Sequence, residues 1–175
     1  MTQTFVFKVL VVGEGGCGKT SLIDRFVNNR FQGNYLMTVG VSLSNKELLI
    51  DNIRLNLQIM DIGGQDRFEQ FRGIFYRGAK AAILVFDLTR YLTWEKIEKW
   101  NNEINEYCGD IPRILLGNKK DLESVAGAFC DKEEIFSFCN EIQIRYYESS
   151  AREDINVENA FMDLGKIIID SYQLK

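Results

Sequence analysis

Gly13-Glu14-Gly15-Gly16-Cys17-Gly18-Lys19-Thr20 follows an apolar run and precedes a helical pattern. The string fits GxxxxGK[ST], a phosphate-binding loop, and strand-turn-helix is the setting that motif requires. In such a loop the N–H groups of the glycine-rich turn and the positive end of the following helix cradle phosphate oxygens. Lys19 adds a mobile charge toward the terminal phosphates, and Thr20 can offer its hydroxyl to a magnesium ion. A plain glycine-rich turn would need neither Lys19 nor Thr20. The loop therefore predicts nucleotide triphosphate binding on an α/β framework.

Outward from the loop, residues 5–12 are nearly continuous apolar sequence rich in valine, the pattern of a strand buried on both faces of a parallel sheet. Ile53, Leu55, Leu57 and Ile59 alternate with Arg54, Asn56 and Gln58, and residues 41–50 precede them across the turn-forming pair Asp51-Asn52. This predicts a hairpin carrying an antiparallel edge strand. Residues 81–86, 114–116 and 144–147 supply three more short strands. Helices are expected at about 18–28 and at about 93–108, the second with Ile97, Trp100, Ile104 and Cys108 on one stripe. Asp131 with Glu134 forms an aspartate version of the capping box, ahead of Ile135, Phe138, Cys139 and Ile142 at helical spacing. Asn156 is a good N-cap ahead of Val157, Ala160, Phe161, Leu164 and Ile168. The alternation predicts an α/β fold: a doubly wound, mostly parallel six-stranded sheet with one antiparallel edge strand and helices on both faces. No repeat, low-complexity stretch or linker divides residues 1–175, so one domain is expected. The single proline, Pro112, stands at the start of a strand, where its missing N–H costs least.

At 175 residues and 46% apolar content the chain has room for one packed core. A net charge of -4 and a pI near 5.0 argue against a phosphodiester-binding surface, so no nucleic-acid partner is expected. The longest apolar stretch, residues 81–86, is too short to cross a bilayer, and no basic segment followed by an apolar core opens the chain. A cytoplasmic location is expected. Cys17, Cys108, Cys130 and Cys139 form no C-x-x-C pair and the chain has no histidine, which favours reduced thiols over zinc ligands. Without histidine, Ser/His/Asp and Cys/His catalysis are excluded. Positioning and electrostatics remain, and phosphoryl transfer suits them.

Three further motifs fall in order. Asp61-Ile62-Gly63-Gly64-Gln65 follows the third strand, Asn118-Lys119-Lys120-Asp121 the fifth, and Ser150-Ala151-Arg152 the sixth. Ligands of open α/β sheets bind beyond the carboxyl ends of the strands, so these segments can share one pocket.

With this order and spacing the chain resembles the Ras superfamily of small GTPases over essentially its whole length. It is most similar to the Rab-like branch, through Val39-Gly40-Val41 after Thr38, through Phe75-Tyr76-Arg77-Gly78-Ala79, and through Asp87-Leu88-Thr89. The resemblance implies a magnesium-dependent GTP/GDP switch that hydrolyses GTP slowly. It assigns the nucleotide contacts to Gly13, Glu14, Gly15, Gly16, Cys17, Gly18, Lys19, Thr20, Ser21, Phe31, Tyr35, Thr38, Gly64, Leu122, Ser150, Ala151 and Arg152. Asn118 and Asp121 match the base-reading residues, and Lys119 and Phe31 those lying against the base. A carboxylate such as Asp121 can accept two hydrogen bonds from guanine, a donor pair that adenine lacks. Thr20, Thr38 and Asp61 match the metal-associated positions. Gly64 meets the γ-phosphate and Gln65 orients the attacking water; with Lys19 these are the expected catalytic groups.

The resemblance also implies effectors bound in the GTP state, an exchange factor and a GTPase-activating protein, with the chain itself a monomer. No arginine matches a built-in finger, so fast hydrolysis would need one from a partner. Gly15 occupies a position where a side chain would crowd that arrangement. Met60-Asp61-Ile62-Gly63-Gly64-Gln65 departs from the usual Rab-like Trp-Asp-Thr-Ala-Gly-Gln toward an Arf-like DxGGQ, and Gly63 should loosen its segment. The sequence closes on Gln173-Leu174-Lys175 without a cysteine, so no membrane anchor is expected within it; a longer native chain would allow a peripheral membrane location. Two other readings stay open: a nucleotide-locked guanine-binding module without useful hydrolysis, and an adenylate-using P-loop kinase, which would have no reason to carry the third and fourth motifs.

Overall fold

A computed structural model describes residues 4–33, 38–64, 69–127 and 129–174. The elements run β1 (Thr4–Val12), α1 (Lys19–Asn28), β2 (Val41–Ile50), β3 (Ile53–Ile62), α2 (Glu69–Tyr76), β4 (Ala81–Asp87), α3 (Tyr91–Glu95), α4 (Ile97–Cys108) and β5 (Arg113–Asn118). After a single 3-10 turn at Lys120–Leu122 come α5 (Glu123–Ala126), α6 (Lys132–Glu141), β6 (Arg145–Glu148) and α7 (Val157–Ser171).

The strands form one sheet in the order β2-β3-β1-β4-β5-β6. Only β2 pairs antiparallel, with β3; every other pairing is parallel, as expected. The hairpin turn is the Asp51-Asn52 pair, with φ of 47° and 68° and Ile50 facing Ile53. Two positive φ values in a two-residue loop match the right-handed twist of the strands they join.

The period-two pattern of the strands sorts residues onto two cores. Val9, Val11, Ile83 and Val85 join Leu22 and Phe26 of α1 and Phe161 and Leu164 of α7 on one face. Leu10, Val12, Leu84 and Phe86 join Tyr76 of α2, Trp100 and Ile104 of α4 and Ile135 of α6 on the other. Phe26 and Phe161 stack at 4.0 Å between α1 and α7. With both faces covered, every residue of β4 is buried, which explains its unbroken apolar run. Among the described residues no helix is long and apolar enough to cross a membrane.

Four local expectations need correction. The helix expected at 93–108 begins at Tyr91 and is interrupted at Lys96, whose φ of -89° and ψ of -3° break the α ladder. Thr93 lies inside α3 because its hydroxyl accepts the Asp87 N–H at 2.9 Å and donates to the Arg90 carbonyl at 2.7 Å. The capping box at α6 is half made: Asp131 accepts the Glu133 N–H at 2.8 Å, while the Glu134 carboxylate turns to the Trp94 indole N–H at 3.1 Å. Asn156 precedes α7 but does not cap it, since its amide donates to the Glu148 carbonyl at 2.8 Å. Helix α2 had no counterpart among the expected helices.

Candidate functional site

The carboxyl ends of β1, β3, β4, β5 and β6 carry all the motif loops on one edge of the sheet. There a cavity of about 800 Å³ is lined by Gly16, Gly18, Ser21, Phe31, Asn118, Lys119, Asp121, Leu122, Ala151 and Arg152, all among the expected contacts. Gln32, Gly33 and Arg90 complete the lining, and the motifs did not single them out.

The phosphate loop leaves β1 at Gly13, whose φ is 146° and where an added Cβ would lie 2.0 Å from the Val85 carbonyl oxygen. Only glycine lets the loop run this close to β4. Gly18 stands at the N-cap of α1 with no side-chain cap, which leaves the first-turn N–H groups for an anion. Lys19 is 5% exposed and donates to the Gly13 and Glu14 carbonyls at 2.7 and 2.9 Å, so its ammonium is held beneath the loop. Cys17 is buried, and burial pushes its thiol above the ordinary value.

Two members of the motif show where their side-chain positions face. The Glu14 carboxylate turns away from the loop, accepting from the Trp100 indole N–H at 3.2 Å and pairing with Lys96 at 3.3 Å. Only its backbone faces the cradle. At Gly15 an added Cβ would meet nothing within 4 Å, so any crowding there has to come from a bound molecule and not from the described chain.

Thr20, Thr38 and Asp61 come together. The Thr20 hydroxyl is 2.5 Å from Asp61 Oδ2 and 2.7 Å from Thr38 Oγ1. Asp61 is 3% exposed, its Oδ1 is buried without a hydrogen-bond partner, and burial raises its pKa. An all-oxygen set with an orphaned buried carboxylate oxygen fits a hard divalent cation such as magnesium.

The paired glycines after Asp61 are explained by close approach. An added Cβ at Gly64 would stand 2.3 Å from the Gly13 carbonyl oxygen and 2.5 Å from Gly15 N, so this segment lies directly on the phosphate loop. At Gly63 it would stand 2.8 Å from the Gly40 carbonyl oxygen and 3.1 Å from that of Thr38, while the Gly63 N–H donates to Gly40 O at 2.9 Å. Gly63 therefore brings its segment directly against the one carrying Thr38.

At the other end of the cavity, Asn118 is 1% exposed and joins three loops. Its Nδ2 donates to the Cys17 carbonyl at 2.9 Å and its Oδ1 accepts the Ala151 N–H at 3.3 Å. Ser150 donates to Asp121 Oδ1 at 2.6 Å, which fixes the carboxylate on the cavity wall. Lys119, in the left-handed region at φ 67°, sends its ammonium to Asp87 at 2.7 Å and leaves its stem along the cavity. Arg25 of α1 was not anticipated: its guanidinium donates to the carbonyls of Ala151 and Arg152 at 2.9 and 3.0 Å. Its place on the outer side of a helix gave no signal for a partner more than a hundred residues away. Tyr35 and Gln65 lie outside the described residues.

The model of the Ras family matches residues 8–170. The chain belongs to the Ras family. Within it the chain sits on the Rab-like branch of small GTPases. It is 40% identical over 175 residues to Ras-related protein Rab-32C of Dictyostelium discoideum, covering 98% of this chain and 77% of that protein. It is 36% identical to Ras-related protein RABG3b of Arabidopsis thaliana, over 94% of this chain and 84% of the relative. A similar likeness, 36% over 95% and 83%, links it to the Ypt/Rab-type GTPase ypt7 of Schizosaccharomyces pombe. The contacts of Gly63 and Gly64 give both glycines a physical reason in this fold.

Proposed function

We propose that this Ras-family chain is a guanine-nucleotide switch that binds GTP and GDP with magnesium, hydrolyses GTP slowly, and controls partner binding through the segments around Thr38 and Gly64. The observation that carries the reading is one cavity with an uncapped helix N-terminus at one end and a Ser150-braced carboxylate at the other. A nucleotide spans such a distance with its phosphates on N–H groups and its base against a donor-reading carboxylate.

In this reading Asp121 accepts from guanine, Lys119 and Phe31 flank the base, and Asn118 holds the three loops in register. Thr20, Thr38 and Asp61 would hold magnesium, which would supply positive charge to offset that of the phosphates. The N–H groups of residues 15–20 bind phosphate oxygens, and Lys19 stabilises the charge that grows on them as the bond breaks. Water adds to the γ-phosphorus while the bond to the β–γ bridging oxygen breaks, giving GDP and inorganic phosphate. Gln65 orients that water; it is a weak base, so turnover is slow and acceleration falls to a partner. Effectors, an exchange factor and an activating protein are the partners this mechanism calls for.

Single-turnover hydrolysis of GTP by the parent and by Gln65→Leu tests the reading. Measurable parent turnover with unchanged GTP affinity but a lower rate in the variant is expected. Binding without turnover in the parent would favour a nucleotide-locked module, and equal rates in both would move the chemistry away from Gln65.

A further inference from the structure

Arg90 belongs to none of the motifs, yet it lines the cavity and its Nη1 lies 3.3 Å from the Gly15 carbonyl oxygen. Resting on the guanine-nucleotide reading, we propose that Arg90 is a phosphate-binding residue of this site, a cation built into the chain beside the phosphate loop.

The backbone that presents Arg90 is fixed. Residue 90 joins the end of β4 to α3, its N–H donates to the Asp87 carbonyl at 2.9 Å, and its own carbonyl accepts from the Thr93 N–H at 2.9 Å and hydroxyl at 2.7 Å. Its side chain is exposed and makes one long hydrogen bond among the described residues. A guanidinium has five N–H donors in a planar fork that matches phosphate oxygens. Among the described residues no carboxylate pairs with Arg90. A neutral carbonyl at 3.3 Å is a weak partner, beyond the common N–H···O range, and is readily exchanged for an anion.

The other cations of the cavity are differently placed. Lys119 is engaged by the buried Asp87 at 2.7 Å. Arg152 sits on the loop held by Arg25, next to the base-reading residues. Lys19 is drawn under the loop by two carbonyls. Arg90 is thus the cation on the solvent side of Gly15, where it can close over phosphates that Lys19 meets from below.

The test is titration of the full nucleotide-stripped chain with fluorescent GDP and a fluorescent non-hydrolysable GTP analogue, with magnesium, at two ionic strengths. Arg90→Ala should weaken both about tenfold at low salt, the scale of a charge-assisted hydrogen bond. Its affinity should vary less with salt than the parent's. Arg90→Lys should recover part of the loss, because the charge remains while the fork is gone. The preference for guanine over hypoxanthine and the melting temperature of the stripped chain should stay unchanged. Parent-like affinity of Arg90→Ala, within twofold for both nucleotides, would overturn the proposal. So would an equal loss in Arg90→Lys with an unaltered salt dependence, which marks a packing role. A parent that binds no guanine nucleotide would overturn the functional reading, and this proposal with it.

Discussion

Replacing Gly63 by alanine tests whether the segments carrying Asp61 and Thr38 are coupled by contact. Gly63 has no positive φ, so alanine is allowed by its backbone and the effect must come from the added methyl. That Cβ would lie 2.8 Å from Gly40 O and 3.1 Å from Thr38 O, where ordinary contact begins at 3.4 Å. The Thr38–Gly40 backbone must therefore retreat by about 0.6 Å at the closer point, stretching the Gly63–Gly40 hydrogen bond from 2.9 Å toward 3.5 Å. Overpacking against backbone costs about 1–3 kcal/mol, and a weakened hydrogen bond adds about 1 kcal/mol more. The displaced segment also carries the Thr38 hydroxyl away from Thr20, and magnesium tolerates little error in its near-octahedral shell.

Under the proposed function the cost should appear mainly in the triphosphate state, where Thr38 would reach the magnesium ion. Gly63→Ala should lower affinity for a non-hydrolysable GTP analogue about tenfold relative to GDP, which corresponds to about 1.4 kcal/mol. Stopped-flow association and release of the two fluorescent nucleotides measure the ratio. A ratio within twofold of the parent, with an unchanged melting temperature, would refute the contact argument.

Asp121→Asn should weaken GDP and GTP and shift preference toward xanthine nucleotides, since the carboxylate accepts where an amide donates; unchanged GDP affinity by titration would remove Asp121 from base reading. Arg72 of α2 is 2% exposed and pairs with Glu103 at 2.6 and 3.1 Å, so Glu103→Ala should lower stability by about 3 kcal/mol. The expected fall in melting temperature is roughly 6–12 °C, whereas the paired apolar change Arg72→Met with Glu103→Leu should cost much less; calorimetry of the three chains decides. Glu148 is pushed up by burial, but Lys120 and Lys132 outweigh this and hold it below the ordinary glutamate value of 4.5. A folded value below the unfolded one gives stability that is present above pH 4.5 and lost as pH falls through the folded value. The melting-temperature gap between parent and Glu148→Gln should therefore be widest at neutral pH and close in acid, as followed by thermal scans across pH.

The sheet was legible because period-two alternation and unbroken apolar runs report burial directly, as in β1, β3 and β4. The site was legible because its residues stand on loops at fixed places after strands. Helix α2 was not, because its pattern is inverted. Phe71, Ile74 and Phe75 are 58, 67 and 37% exposed, while Arg72 is buried. A buried arginine is intelligible only beside Glu103, which meets it from α4. The same limit hid Glu14, Arg25 and Arg90, whose partners are set by the fold and not by neighbours in sequence.

Those long-range partners share a physical logic at the phosphate loop. Gly64 lies on the loop's backbone and Lys19 binds it from beneath, while Glu14 anchors its flank to Trp100. The Trp100 ring carries the Arg72 guanidinium at 4.3 Å, and Glu103 receives both Arg72 and the Tyr76 hydroxyl, the latter at 3.0 Å. Trp100 is 1% exposed and its ring has no room to reorient without disturbing Glu14 or Arg72. Helix α2 and the phosphate loop are thus set against one rigid side chain of α4, and Gly63 and Gly64 set the segment before α2 against the Thr38–Gly40 backbone and the loop respectively. A rearrangement of Gly63 and Gly64 must break the Gly63–Gly40 and Gly64–Gly13 approaches. For the switch proposed above, contacts with only a few discrete packed arrangements, and not flexibility, are what a two-state response to the terminal phosphate requires.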